Sequence, residues 1–178
     1  MGLMSFQWRI LTLCPAVLAV SLAADSTCKM LADANAKIYA IPTHIYTTEI
    51  ATYTGGKPKS NELIYLNNTT YIESNGRWNI SKATPQRMQE LRKTGEDKHP
   101  NAVCRAVRDE SVNGEAATVY SMHDEHQGSK TDSQIWMSKS RGVPLKLEMD
   151  MDVGGAAGKS HRTMRYEYTN VTAPPVGR

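Results

Sequence analysis

The densest group of side chains able to bind a metal or move a proton is His123-Asp124-Glu125-His126. Imidazole and carboxylate are the ligands that zinc takes, and a catalytic zinc needs three of them around an open position. In a strand, His123 and His126 would face opposite sides and could not chelate together. In a turn, which Gln127-Gly128 permits, they could converge, but a further ligand such as His161 or His99 would have to arrive by folding. A polar hairpin tip that stays solvated accounts for the same four residues, so no metal site is assigned. A metal-dependent hydrolase built on His123 and His126 would have to lose its activity to a chelator and to His126→Ala.

Nucleophilic chemistry has no better frame. Serine, histidine and aspartate all occur, but there is no G-x-S-x-G elbow and no H-E-x-x-H helix to arrange them. Gly154-Gly155-Ala156-Ala157-Gly158 lies between two strand signals. It lacks the following helix whose N-terminus would hold a phosphate, so it reads as a loose hairpin loop. The sequence therefore points away from an enzyme: no catalytic residue and no cofactor is assigned.

Two cysteines carry the remaining reactive groups, and their meaning depends on where the chain goes. Arg9 is the only charge before Asp25, and Ile10 to Ala24 is an apolar run broken by Thr12, Pro15 and Ser21. The run is shorter than the about 20 apolar residues that span a bilayer. With Ser21-Leu22-Ala23 as a small-x-small site, residues 1–23 read as a secretory signal peptide. A lipid anchor on Cys14 is unsuited, because Leu13 stands where a small residue is needed. Cleavage would leave Cys28 and Cys104, an even pair that reads as a disulfide in an exported chain.

The whole chain has 178 residues, one domain's worth, with 40% apolar and 22% charged residues. Its net charge of +3, from 21 basic and 18 acidic residues, is too small and dispersed to suggest nucleic acid or an anionic membrane. The expected partition is a signal peptide over 1–23, a single domain over 24–172 and an extended tail over 173–178.

Spacing predicts the elements. From Asp25 or Ser26, the positions Cys28, Leu31, Ala34, Ile38 and Ile41 recur at helical intervals until Pro42 stops them. Short alternating runs follow: Ile45–Tyr53, Glu62–Leu66, Thr69–Glu73 and Arg77–Ile80, with Gly55-Gly56-Lys57-Pro58, Asn67-Asn68 and Asn75-Gly76 as turns. Thr84-Pro85 opens a second helix over Gln86–Lys93 that ends at Gly95. Five more strands are expected at Ala102–Arg108, Glu115–His123, Lys130–Ser138, Val143–Asp152 and Lys159–Asn170. Short loops between alternating strands mean an antiparallel meander. Its apolar positions (Leu145, Leu147 and Met149 against Lys146 and Glu148) must be covered, and two short helices are too little to cover them. The fold class predicted is α+β, mainly β: a curved antiparallel sheet or unclosed half barrel, with an N-terminal helix and a second short helix as lid.

Several segments resemble a known group of proteins. The signal-like leader, the opening helix, Trp78, the Thr84-Pro85-Gln86-Arg87-Met88 helix start, and Gln134-Ile135-Trp136-Met137-Ser138-Lys139 running into Gly142-Val143-Pro144-Leu145-Lys146-Leu147-Glu148 are similar to the LolA/LolB-like superfamily of periplasmic lipoprotein-sorting proteins. The resemblance spans Cys28 to Thr172 and marks a divergent member, since cleavage removes the only phenylalanine, Phe6, from a group that is aromatic-rich inside. It implies a periplasmic half barrel with helices over an apolar cavity that accepts acyl chains. In that compartment the N-x-[ST] patterns at Asn67, Asn68, Asn79 and Asn170 would have no meaning.

The function expected is therefore a non-enzymatic periplasmic binding protein that shields a hydrophobic small molecule or lipid. The cavity candidates are Tyr120, Met122, Trp136, Leu145, Leu147, Met149, Met164, Tyr166 and Tyr168. Flexible thioethers suit a surface that must fit several apolar shapes, although methionines also fill gaps in ordinary cores. The alternative is a cell-envelope interaction or sensing domain with a closed core, no ligand and a protein partner. Neither reading involves nucleic acid or a stable membrane anchor.

Overall fold

A computed structural model describes residues 21–96, 102–155 and 158–177, with the backbone alone for 21–25 and 93–96. The expected signal peptide thus lies almost wholly outside the described residues, and Ser21 to Ala24 are the first turn described of a helix, α1 (Ser21–Ala36).

Leu31, Ala34 and Ile38 recur at helical spacing, and all three are buried. The helix was expected to run to Ile41, but it gives way at Ala36 to a 3-10 turn over Lys37–Tyr39. Pro42 has no N–H to donate and drives Ile41 out of the helical region, so the last turn tightens early. The fully buried Thr43 hydroxyl then lies 2.9 Å from each of the Ile38 and Ile41 carbonyl oxygens, which the helix end leaves without intrahelical donors.

Among the described residues nine strands follow: β1 (Thr43–Ala51), β2 (Pro58–Leu66), β3 (Thr69–Ser74), β4 (Arg77–Ile80), β5 (Val103–Val112), β6 (Glu115–His126), β7 (Ser129–Ser138), β8 (Pro144–Asp152) and β9 (Lys159–Glu167). They form one antiparallel sheet in the order β4-β3-β2-β1-β9-β8-β7-β6-β5. Two hairpin meanders meet where β1 pairs with β9, strands far apart in the chain. The sheet is unclosed: β4 and β5 are its two edges, and α2 (Pro85–Glu96) carries the chain from one to the other.

The hairpin turns follow from their residues. Asn67-Asn68, Asn75-Gly76, Asn113-Gly114 and Gln127-Gly128 each hold two successive residues at positive φ, the backbone that a two-residue hairpin needs to match strand twist. Other boundaries depart from expectation. Pro58 opens β2, opposite Ile50, because a strand's first position tolerates a missing N–H. β5 continues past Arg108 to Val112 by way of a bulge at Val107, and β9 stops at Glu167. The second helix begins at Pro85, with the Thr84 hydroxyl capping the Arg87 N–H at 3.2 Å, and it runs through Gly95 to Glu96.

Helix α1 lies on one face of the sheet. Leu31 and Ala34 pack with Cys104 and Met137, while Ile38 packs with Ile45, Tyr65 and Tyr166. A disulfide between Cys28 and Cys104, whose Cα atoms are 5.2 Å apart, fastens the helix to edge strand β5. The short α2 meets the 3-10 turn that ends α1.

Candidate functional site

Cross-strand register decides which side chains share a face, because residues directly opposite in neighbouring strands point the same way. One row on the helix-covered face runs Ala106, Tyr120, Ile135, Leu147, Met164 and Thr47 across six strands. The next runs Cys104, Met122, Ser133, Met149, Arg162 and Glu49. A third brings Met151 opposite Thr131 and Ser160. Tyr166 lies one pleat beyond Met164, opposite Ile45.

Of the nine residues expected to line a cavity, Tyr120, Met122, Leu147, Met149, Met164 and Tyr166 thus share one continuous surface. From spacing alone, Tyr120 and Met122 could not be placed on the same side as Leu147 and Met149. The register places them there.

Trp136 does not join them. It lies opposite Val119 and Lys146, on the outer face, and packs with Ala117, Val119 and Leu145. Its Nε1–H donates to Glu110 Oε2 at 2.6 Å, and Lys146 Nζ lies 4.4 Å from the ring centroid. That indole hydrogen bond, joined by Arg108, holds the Glu110 carboxyl below the usual carboxylate range. Leu145 sits in a bulge between the Trp136–Lys146 and Met137–Pro144 pairs, and the bulge breaks the alternation that grouped it with Leu147. Tyr168, past the end of β9, packs against both the outer cluster and the one beneath the end of α1, with its hydroxyl donating to the Pro144 carbonyl.

The helix-covered face is unevenly buried. Tyr166 is 7% exposed, and burial pushes its hydroxyl, like those of Tyr65 and Tyr168, well above the ordinary tyrosine range. Tyr120, Met122 and Ile135 pack against the cluster under the middle of α1, and Leu147 and Met164 against the one under its end. Among the described residues, Met149 and Met151 join neither cluster and stay partly exposed. Apolar surface therefore continues across β8 beyond the part that α1 covers.

Arg162 and Glu49 also lie on this face and were not among the residues expected there. Arg162 Nη2 donates to Glu49 Oε1 at 3.2 Å. The signal was present, since Arg162 has the same parity as Met164 and Tyr166 and is the one charge in that alternation. Its partner, 113 residues away, could be found only by folding.

The outer face holds the His123 and His161 imidazoles. His123, Asp132, Asp150 and His161 stand opposite one another on β6 to β9, with His123 Nδ1 2.7 Å from Asp132 and His161 Nδ1 2.8 Å from Asp150. The Asp132 hydrogen bond holds the His123 pKa above its usual value. His123 and His126 lie on the same strand at odd separation, hence on opposite faces, because β6 extends to His126. Among the described residues, no group of three or more His, Cys, Asp or Glu side chains is placed to hold a metal ion. None of the described helices is long and apolar enough to cross a membrane.

No protein-family model matches the chain, and no curated protein matches it either. Solved structures do. LprF from Mycobacterium bovis is 10% identical with a TM-score of 0.43, over 86% of this chain and 99% of that one. The lipoprotein LppX from Mycobacterium tuberculosis is 7% identical with a TM-score of 0.45, over 85% and 98%. A LolA superfamily protein from Nitrosomonas europaea is 10% identical with a TM-score of 0.31, over 81% and 91%.

Proposed function

We propose that this chain is an exported, non-enzymatic binding protein that shelters a hydrophobic ligand, a lipid or acyl chain, against the helix-covered face of its sheet. The observation that supports the reading is the continuity of Tyr120, Met122, Ile135, Leu147, Met149 and Met164 across four strands, with Met149 and Met151 outside the buried clusters of the described residues. A sheet whose apolar face is wider than its helices either aggregates or keeps that face for a partner. Sheltering an alkyl chain there would gain about 25 cal/mol per Å² of apolar surface removed from water. Methionines along the strip let one surface fit chains of different shape.

The reading takes residues 1–23 as a signal peptide, 24–172 as the binding domain and the periplasm as its compartment. The experiment is to purify the exported form without detergent and examine it by native mass spectrometry and solvent extraction. A bound hydrophobe, or saturable binding of the fluorescent probe N-phenyl-1-naphthylamine that Met149→Glu abolishes, is the expected result. Absence of both would overturn the reading.

A further inference from the structure

We propose that the sheltered ligand is an anionic amphiphile, whose carboxylate or phosphate head is gripped by Arg162 while its alkyl chain lies along the methionine strip. The proposal rests on the reading that the helix-covered face binds a hydrophobe, and it names that ligand's chemical class.

Arg162 stands in an apolar setting. Across the sheet its neighbour on β8 is Met149, and along β9 on the same face it is followed by Met164. The side chain is 32% exposed and its Nε is shielded from solvent, so part of the cation is withdrawn from water. Withdrawing a charge is costly unless its hydrogen-bonding capacity is filled. Here it is filled in part: Nη2 reaches Glu49 by one contact at 3.2 Å, whereas Nε is shielded from solvent and has no acceptor among the described residues.

The Nε–Nη edge of arginine is the fork that carboxylates and phosphates meet with two parallel hydrogen bonds. Glu49 engages one tine, so half of the fork is idle. Glu49 is itself flanked, by Arg162 on β9 and by Lys59 directly opposite on β2, so the row carries one more cation than anion at this end. A second idle donor lies in the same row: Ser133, 5% exposed between Met122 and Met149, has an Oγ with no hydrogen-bond partner. The charges stand at one end of this row, with Met149 and Met122 on either side of Ser133 further along it, an order that matches an amphiphile with a short anionic head.

The test compares three ligands of equal chain length, namely dodecanol, dodecanoate and dodecyl phosphate, by displacement of N-phenyl-1-naphthylamine from the full exported chain. The parent protein is expected to favour at least one anion over dodecanol by about tenfold, the fold-change of one charge-assisted pair, and the preferred anion identifies the head. Arg162→Gln should erase that ratio, and Arg162→Lys, which keeps the charge and loses the fork, should reduce it. Glu49→Gln should raise it by freeing the fork, whereas a purely structural ion pair would give weaker binding of all three. Equal affinity for the three ligands in the parent protein, or an anion preference that survives Arg162→Gln, would overturn the proposal and leave the hydrophobe reading standing. Failure of all three ligands and of the probe itself would instead overturn that reading.

Discussion

Asp132 and Asp150 face each other directly across β7 and β8, a pairing of like charges that destabilises a sheet unless something neutralises it. His123 and His161 flank them, one on each outer side. Because the Asp132 hydrogen bond raises the His123 pKa above its unfolded value, this pair's contribution is fully present below the ordinary histidine pKa of about 6.5. It is lost as pH rises through the raised value. An NMR titration of the His123 ring should therefore show a midpoint above the ordinary one, and Asp132→Asn should bring it back. A midpoint unmoved by that change would remove Asp132 as the cause. The His123–Asp124–Glu125–His126 run was conspicuous in the sequence, yet its partners lie on neighbouring strands and no local pattern names them. Trp136 is the converse case. Its place near a strand end was legible, but its face was not, because that face is set by pairing with Val119 and Lys146 on neighbouring strands.

Among the elements, α1 depends on two kinds of attachment. Leu31 and Ala34 bury its apolar stripe against Cys104 and Met137, and the disulfide ties Cys28 to the same strand. Leu31→Ala should cost about 2–5 kcal/mol in a denaturant titration, the usual range for emptying such a site. Replacing both cysteines by serine should cost about 2–5 kcal/mol as well and should speed hydrogen exchange in α1 more than in β1 and β9. If exchange rose equally everywhere, the bridge would be a global staple and not the local fastening of a helix. Both cysteines, the helix and the turn residues were legible, because caps, prolines, Asn-Gly steps and helical spacing are local signals. Strand ends were less so. Pro58, Asp109 to Val112 and the residues after Glu167 were misplaced, since pairing with a neighbour decides where a strand stops.

For the molecule as a whole, the decisive feature is how the two meanders meet. Pairing β1 with β9 puts the first half's Ile45 beside Tyr166 and Glu49 beside Arg162, and leaves β4 and β5 as separate edges. The result is a broad unclosed sheet with α1 packed on one face and α2 against the turn that ends α1. Met149 and Leu31 should then separate stability from binding. Met149→Glu should abolish probe binding with a stability change under about 1 kcal/mol, because Met149 belongs to no buried cluster among the described residues. Leu31→Ala should instead lower stability at first and binding only as the fold is lost. A Met149→Glu protein as unstable as Leu31→Ala would mean that this methionine is ordinary core.

By itself the sequence determined the order of helices and strands, their antiparallel character and the turns between them. Each of these is encoded in contiguous residues, through φ preferences, two- and four-residue periodicities, and composition. Tertiary structure decided the rest: that Tyr120, Met122, Leu147, Met149 and Met164 form one surface, that Trp136 faces away from it, and that Arg162 meets Glu49 within it. The reason is physical. A slip of one residue in strand pairing turns every side chain to the other face, and that register is fixed by the turns, bulges and long-range β1–β9 pairing acting together, which no short window of sequence contains.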